Sequence, residues 1–167
     1  FNAVKEWKAA VPGRKAIGYM PVYVPRELIH AAGMLPVGIL GGGDALEVIQ
    51  GDAYYQSYIC RIPRSTIELG LTGRLDGLDG MLFPSICDVI RNLSGMWQML
   101  FKDKYVRYLD VPQNYQDEVG GRFYIDGGRP MPGLFEESLR NIKEIPPSFH
   151  INVPFGYWRA GVRKFSP

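Results

Sequence analysis

The chain of 167 residues is poor in the side chains that most often do chemistry: it has two cysteines and two histidines. Two thiols, Cys60 and Cys87, are too few for a disulfide framework, and they form no CxxC pair, so zinc-ribbon and thioredoxin chemistry find no support. There is no HExxH helix, no Ser-His-Asp order, no GxGxxG and no P-loop lysine motif. No lysine or arginine block occurs and the formal net charge is only +2, which argues against nucleic acid as a partner; any bound anion must be held by local groups. The most apolar stretch, "AAGMLPVGILGGG", is broken by Pro36 and several glycines and is too short to cross a bilayer, so no membrane role is expected. No secretory leader and no internal repeat are recognisable. A reducing, cytoplasmic location is expected. The chain opens "FNAVKEW" without an initiator methionine, and its front is expected to be missing.

With 46% hydrophobic and 22% charged residues, what remains is globular material for about one domain. Val4 and Trp7 lie at helical spacing ahead of Pro12-Gly13. "KAIGYMPVYV" reads as a first strand, "RELIHAAG" as a short helix ended by Gly33, and "MLPVGIL" as a second strand. Asp44 and Asp52 are candidate caps for helical stretches leading to Cys60. Ser65-x-x-Glu68 has capping-box spacing and predicts a helix starting near residue 65. "LDGMLFPSIC" is the clearest buried strand. After it, Val89, Leu93, Met96 and Leu100 mark one face of a helix from Asp88, and "KYVRYLDV" alternates as a final strand. Strands separated by helices imply an α/β fold: an open, mostly parallel sheet with helices on both faces. From about residue 126 the chain turns rich in Pro and Gly, with one candidate helix at Leu134 to Ile142. The expected organisation is an α/β domain over 1–125 and an irregular, atypical tail over 126–167.

In open parallel sheets ligands gather where the carboxyl ends of strands feed helices, and Cys87 falls at such a point. A helix start offers unpaired N–H groups and about half a positive charge, conditions that favour a thiolate able to bind metal or attack an electrophile. Arg61 and Arg64, beside Cys60, would act in the same sense. The competing reading makes both thiols small buried hydrophobes, and on spacing alone it is the favoured one. Gly41 to Gly43 read better as a turn than as a phosphate cradle. His30 reads as a structural histidine. Tyr54, Tyr55 and Tyr58 line a pocket or serve as ordinary core and surface aromatics. Arg91 and Asn92 point either into a site or at solvent.

Longer motifs narrow these alternatives. "KAIGYMPVYVPRELIHAAGMLPVGILGGG", "DAYYQSYICRIPRSTIELGLTG", "LDGMLFPSICDVIRNLSGMW" and "KYVRYLDVPQN" occur in order and together resemble the amino-terminal part of the benzoyl-CoA reductase / 2-hydroxyacyl-CoA dehydratase family. The resemblance covers about residues 1 to 125 and is strongest to gamma-type subunits of ATP-dependent benzoyl-CoA reductases. It implies a two-domain subunit in which three cysteines hold a [4Fe–4S] cluster. Cys60 and Cys87 match the first two of these ligands, and the third ligand is absent from this chain. It implies benzoyl-CoA as the acyl-CoA substrate, reduced to a cyclic dienoyl-CoA in anaerobic aromatic degradation. Partner subunits would include an ATP-hydrolysing electron donor, with ATP bound by the partners and not by this chain. The dehydratase branch implies instead the elimination of water from a 2-hydroxyacyl-CoA. The third alternative is a non-catalytic α/β fragment with structural cysteines. The tail after residue 125 departs from the family pattern, which a truncated gene, a frameshift or a partial clone would each explain. The chain alone is expected to hold no complete cluster and to be inactive.

Overall fold

The structure, a computed structural model, describes residues 2–110 together with 116, 118 and 119. The elements run α1 (Asn2–Ala10), β1 (Ala16–Tyr19), α2 (Arg26–Ala31), β2 (Leu35–Gly38), a short 3-10 helix at Gly51–Ala53, α3 (Arg61–Leu71), β3 (Gly80–Pro84), α4 (Asp88–Leu100) and β4 (Tyr105–Leu109). The strands form one sheet in the order β2-β1-β3-β4. Every pairing is parallel, with Ile17 opposite both Pro36 and Gly80, and Met81 opposite Val106. The expected α/β fold is therefore present, with a sheet parallel throughout. The candidate helix at Leu134 to Ile142 and the boundary at residue 125 lie outside the described residues.

Alternation along the strands explains why helices cover both faces. Ala16, Met81, Phe83 and Val106 enter one apolar cluster with Ile67 and Leu69 of α3 and with Ile90, Leu93 and Trp97 of α4. Ile17 and Leu82, next to them in sequence, enter a second cluster with Ile29 of α2 and with Val24. Successive strand side chains point to opposite faces, so the two clusters lie on opposite sides of the sheet. β3 is sheathed on both sides, and all five of its residues are buried. Pro36 is tolerated because β2 is an edge strand and pairs only with β1.

Helix ends follow local chemistry where the backbone is free to choose. Gly33 takes φ +74, its N–H donating to His30 O while Met34 N–H reaches Ile29 O, which closes α2 as expected. Three expectations fail. No α-helix follows Asp44 or Asp52; only the 3-10 turn at Gly51–Ala53 forms there. α3 starts at Arg61, not near residue 65, so Ser65 and Glu68 are interior positions and both are buried. The overlooked signal is Pro63, which fits the first turn of a helix because the N–H it lacks would be unpaired there. Finally, α4 forms where expected but buries Ile90, Leu93, Ser94 and Trp97, while Leu100 is exposed. Trp97 decides this rotation. Its ring stands 5.7 Å from Phe83 and 4.6 Å from Phe101, and an aromatic buries more apolar area than Val89 or Met96 would.

At the amino edge of the sheet, Asp79 is held by Lys8 Nζ at 2.8 Å, Lys15 Nζ at 3.3 Å and Ala16 N–H at 2.8 Å. Burial pushes its carboxyl up, but these three donors outweigh burial and hold it below the ordinary aspartate value. A depressed native pKa stabilises the fold at pH values above the unfolded-state value of about 3.9, and that contribution is lost as pH falls through the native pKa. Asp79→Asn is therefore expected to cost about 1 kcal/mol at neutral pH and to converge on wild type in strong acid. Urea midpoints compared across acid pH check this; a gap independent of pH would contradict it.

Candidate functional site at the carboxyl edge

Reading the strand order against the chain order locates the crevice. The chain passes from β1 to its neighbour β2, then returns across β1 to β3. The carboxyl ends of β1 and β3 are thus the point where the winding reverses, the usual ligand position in such sheets. α3 and α4 pack against one another on the same face, and both begin at this edge.

Cys60 stands immediately before α3 and Cys87 immediately before α4, each at the N-cap position. Neither side chain caps its own helix, so both sulfurs are left for other partners. Both cysteines are exposed, which overturns the reading of them as buried hydrophobes. The Cys87 carbonyl accepts from Ile90 and Arg91 N–H, but the earliest N–H groups of a helix have no intrahelical acceptor and face outward with the positive end of the dipole.

The long segment between β2 and α3 is fixed by α3 itself. Glu68 is 3% exposed, and its Oε2 accepts Ile49 N–H at 3.0 Å and Gly51 N–H at 2.6 Å. Ser65 Oγ accepts Gly42 N–H at 3.1 Å, while Gly41 takes φ +80 where an added Cβ would collide with that hydroxyl. The triglycine is irregular chain packed on α3, and the turn falls just after it at Asp44 and Ala45. Arg61 donates to Gly43 O and Leu46 O, and Arg64 donates to Asp52 at 2.7 Å and to Ser57 O and Ile59 O. Both arginines therefore brace the loop that delivers Cys60.

This bracing places Tyr55. Its ring packs against the larger core cluster, and its hydroxyl is buried with no hydrogen-bond partner. Burial first, and then the negative charge that Cys60 and Cys87 carry when ionised, push the phenol well above its ordinary pKa. Tyr54 and Tyr58 are surface residues, at 40% and 80% exposure. His30 is exposed on α2, and Arg91 is exposed with its guanidinium 5.6 Å from the Tyr108 ring. Asn92 is exposed. At this edge four apolar side chains, Val22, Leu40, Ile62 and Ile86, stand exposed on loops or helix starts, among exposed charged residues such as Asp88.

Exposed soft sulfur ligands at two helix starts suit a thiophilic metal. No group of three or more His, Cys, Asp or Glu able to hold a metal occurs among the described residues. The two sulfurs therefore fit an iron–sulfur group as part of a ligand set.

A parallel α/β sheet with an exposed thiol before each of two helices at its carboxyl edge is the class the geometry defines. The 2-hydroxyglutaryl-CoA dehydratase, D-component family matches residues 21–127, and the chain belongs to this family. Among curated relatives it is 76% identical over 124 residues to a subunit of the benzoyl-CoA reductase of Thauera aromatica, covering 74% of this chain and 32% of that protein. It is 40% identical over 131 residues to the beta subunit of the (R)-2-hydroxyglutaryl-CoA dehydratase of Acidaminococcus fermentans, covering 78% of this chain and 34% of that one. To the beta subunit of the lactoyl-CoA dehydratase of Anaerotignum propionicum it is 34% identical over 124 residues, covering 74% and 32%. The chain spans about a third of the length of these relatives. No helix among the described residues is long and apolar enough to cross a membrane.

Proposed function

We propose that this chain is the first α/β domain of an iron–sulfur subunit of a benzoyl-CoA reductase, with Cys60 and Cys87 as two of the cluster's protein ligands. What supports the site is that two thiols, distant in sequence, each stand exposed at the start of a helix on the same edge of the sheet, with the two helices packed together. The reductase reading is favoured over the dehydratase reading by 76% identity against 40% and 34%. The domain is taken to end near residue 125, a boundary supported by the family match ending at residue 127.

When bound, a [4Fe–4S] group would supply the low-potential electron that a thioester-activated aromatic ring requires. The protein's own contribution is positional. The exposed sulfurs of Cys60 and Cys87 hold the group at the crevice, with the positive ends of α3 and α4 behind them. The braced loop from Gly41 to Ile59 fixes the span that carries Tyr55 and ends at Cys60. The exposed apolar side chains at this edge lower the local dielectric and exclude water around an acyl-CoA. Remaining ligands would come from beyond the described residues, and electrons from an ATP-hydrolysing partner subunit. Two exposed, unpaired thiols suit a reducing, cytoplasmic compartment.

The test is anoxic expression of the full-length protein with its partner subunits, followed by assay on benzoyl-CoA. ATP-dependent formation of a dienoyl-CoA is expected. An assembled, iron-loaded complex that leaves benzoyl-CoA untouched, or that dehydrates a 2-hydroxyacyl-CoA instead, would overturn the reductase assignment.

A further inference from the structure

A buried hydroxyl without a partner is an uncommon arrangement, because leaving a polar group desolvated and unpaired costs about 1–3 kcal/mol. Phenylalanine would fill the same space at residue 55 without that cost. Among the described residues Tyr55 carries the one buried side-chain oxygen or nitrogen left without a hydrogen bond. Its position is not accidental to the site. It lies five residues before Cys60, on the segment that Glu68 and Arg64 tie to α3, and its ring is pinned against the core, which limits where the hydroxyl can point. Tyr54 and Tyr58, on the same segment, stand in solvent and need no such partner.

We propose that Tyr55 is a positioning residue of the cysteine site, its buried hydroxyl donating a hydrogen bond to a sulfur atom of the group that Cys60 and Cys87 hold. This rests on the reading that the two thiols hold an iron–sulfur group. A phenol is a donor as well as an acceptor, and the sulfur atoms of a bound iron–sulfur group are acceptors. The electrostatic influence of Cys60 and Cys87 on this phenol, beside its place on the segment that ends at Cys60, is in keeping with such a contact. Donation to sulfur stabilises the extra negative charge of the reduced state, so the hydroxyl makes the group easier to reduce. It also lets an oxygen sealed against the core regain the hydrogen bond it lost on folding.

The experiment is an EPR-monitored redox titration of wild type and Tyr55→Phe in the full-length, assembled, iron-loaded protein, alongside iron and sulfide content. Tyr55→Phe is expected to keep its iron and to shift the reduction equilibrium about tenfold toward the oxidised form, about 59 mV more negative for one electron. Full iron content with an unchanged potential overturns the proposal and leaves the two cysteine ligands standing. If the variant does not assemble, the wild-type protein decides. In wild type carrying 17O-labelled tyrosine, coupling of a phenol oxygen to the reduced group supports the hydroxyl donor, and its absence overturns it. A wild-type protein without any iron–sulfur signal sinks the underlying reading itself.

Discussion

Replacing Cys60 or Cys87 by serine in the full-length protein is expected to strip the iron–sulfur group and abolish activity while leaving the fold intact. Both side chains are exposed and neither caps its own helix, so serine removes a soft ligand without opening a cavity. Serine is in fact a better helix cap than most residues, and unfolding midpoints should hold or rise slightly. The loss in metal affinity should exceed the factor of about 10–100 typical for residues that merely support a ligand. Iron analysis and unfolding by urea, made on the same samples, separate lost ligation from lost folding. Wild-type iron content in both variants would refute the ligand assignment.

Glu68→Ala is expected to have the largest effect on stability. A single carboxylate oxygen receives the N–H groups of Ile49 and Gly51 inside the fold. Hydrogen bonds to a charged group contribute about 1.5–3 kcal/mol each, and alanine leaves the Gly51 donor buried and unpaired and the partly buried Ile49 donor without its acceptor. A loss of about 3 kcal/mol or more is expected, a large share of the ~5–15 kcal/mol that holds a typical domain. Glu68→Gln keeps an acceptor oxygen but not its charge and should lose roughly half as much. Because this carboxylate anchors the loop ahead of Tyr55 and Cys60, both variants should also weaken iron retention in that order. Equal stability of the alanine and glutamine variants would show that the pairing does not hold the loop.

These two positions also show what could and could not be read in the sequence. Strands and helices from Asn2 to Leu109 announce themselves where a local signal agrees with the tertiary fold: Gly33 at a helix end, the apolar run of β3 between Gly80 and Pro84, the alternation of β4. Prediction fails where a residue pattern serves a distant partner. Ser65 and Glu68 have the spacing of a capping box, yet both use their oxygens on a loop up to 23 residues earlier in the chain. Nothing local to those residues distinguishes the two uses. The face of α4 is misjudged for a related reason. Val89, Leu93, Met96 and Leu100 form one apolar stripe and Ile90, Leu93 and Trp97 another, and only the facing rings of Phe83 and Phe101 select between them.

The site was legible as motifs before it was legible as geometry. Spacing alone favours buried thiols at Cys60 and Cys87; the exposure of both follows from each ending a loop at the carboxyl edge, which depends on strand order. Tyr55 is visible in the sequence only as the middle of three tyrosines. Its distinction is the packing that seals its hydroxyl while Tyr54 and Tyr58 stay wet.

The proposed convergence of the two sulfurs can be tested without any metal. Cys60 and Cys87 are the only cysteines of the chain, so a short reagent with two thiol-reactive arms can bridge nothing else within one molecule. Folded protein is expected to give a single-chain bridged product that is lost in denaturant. Two independent single-arm adducts on folded protein, with no bridge at any reagent concentration, would mean the thiols do not share a site.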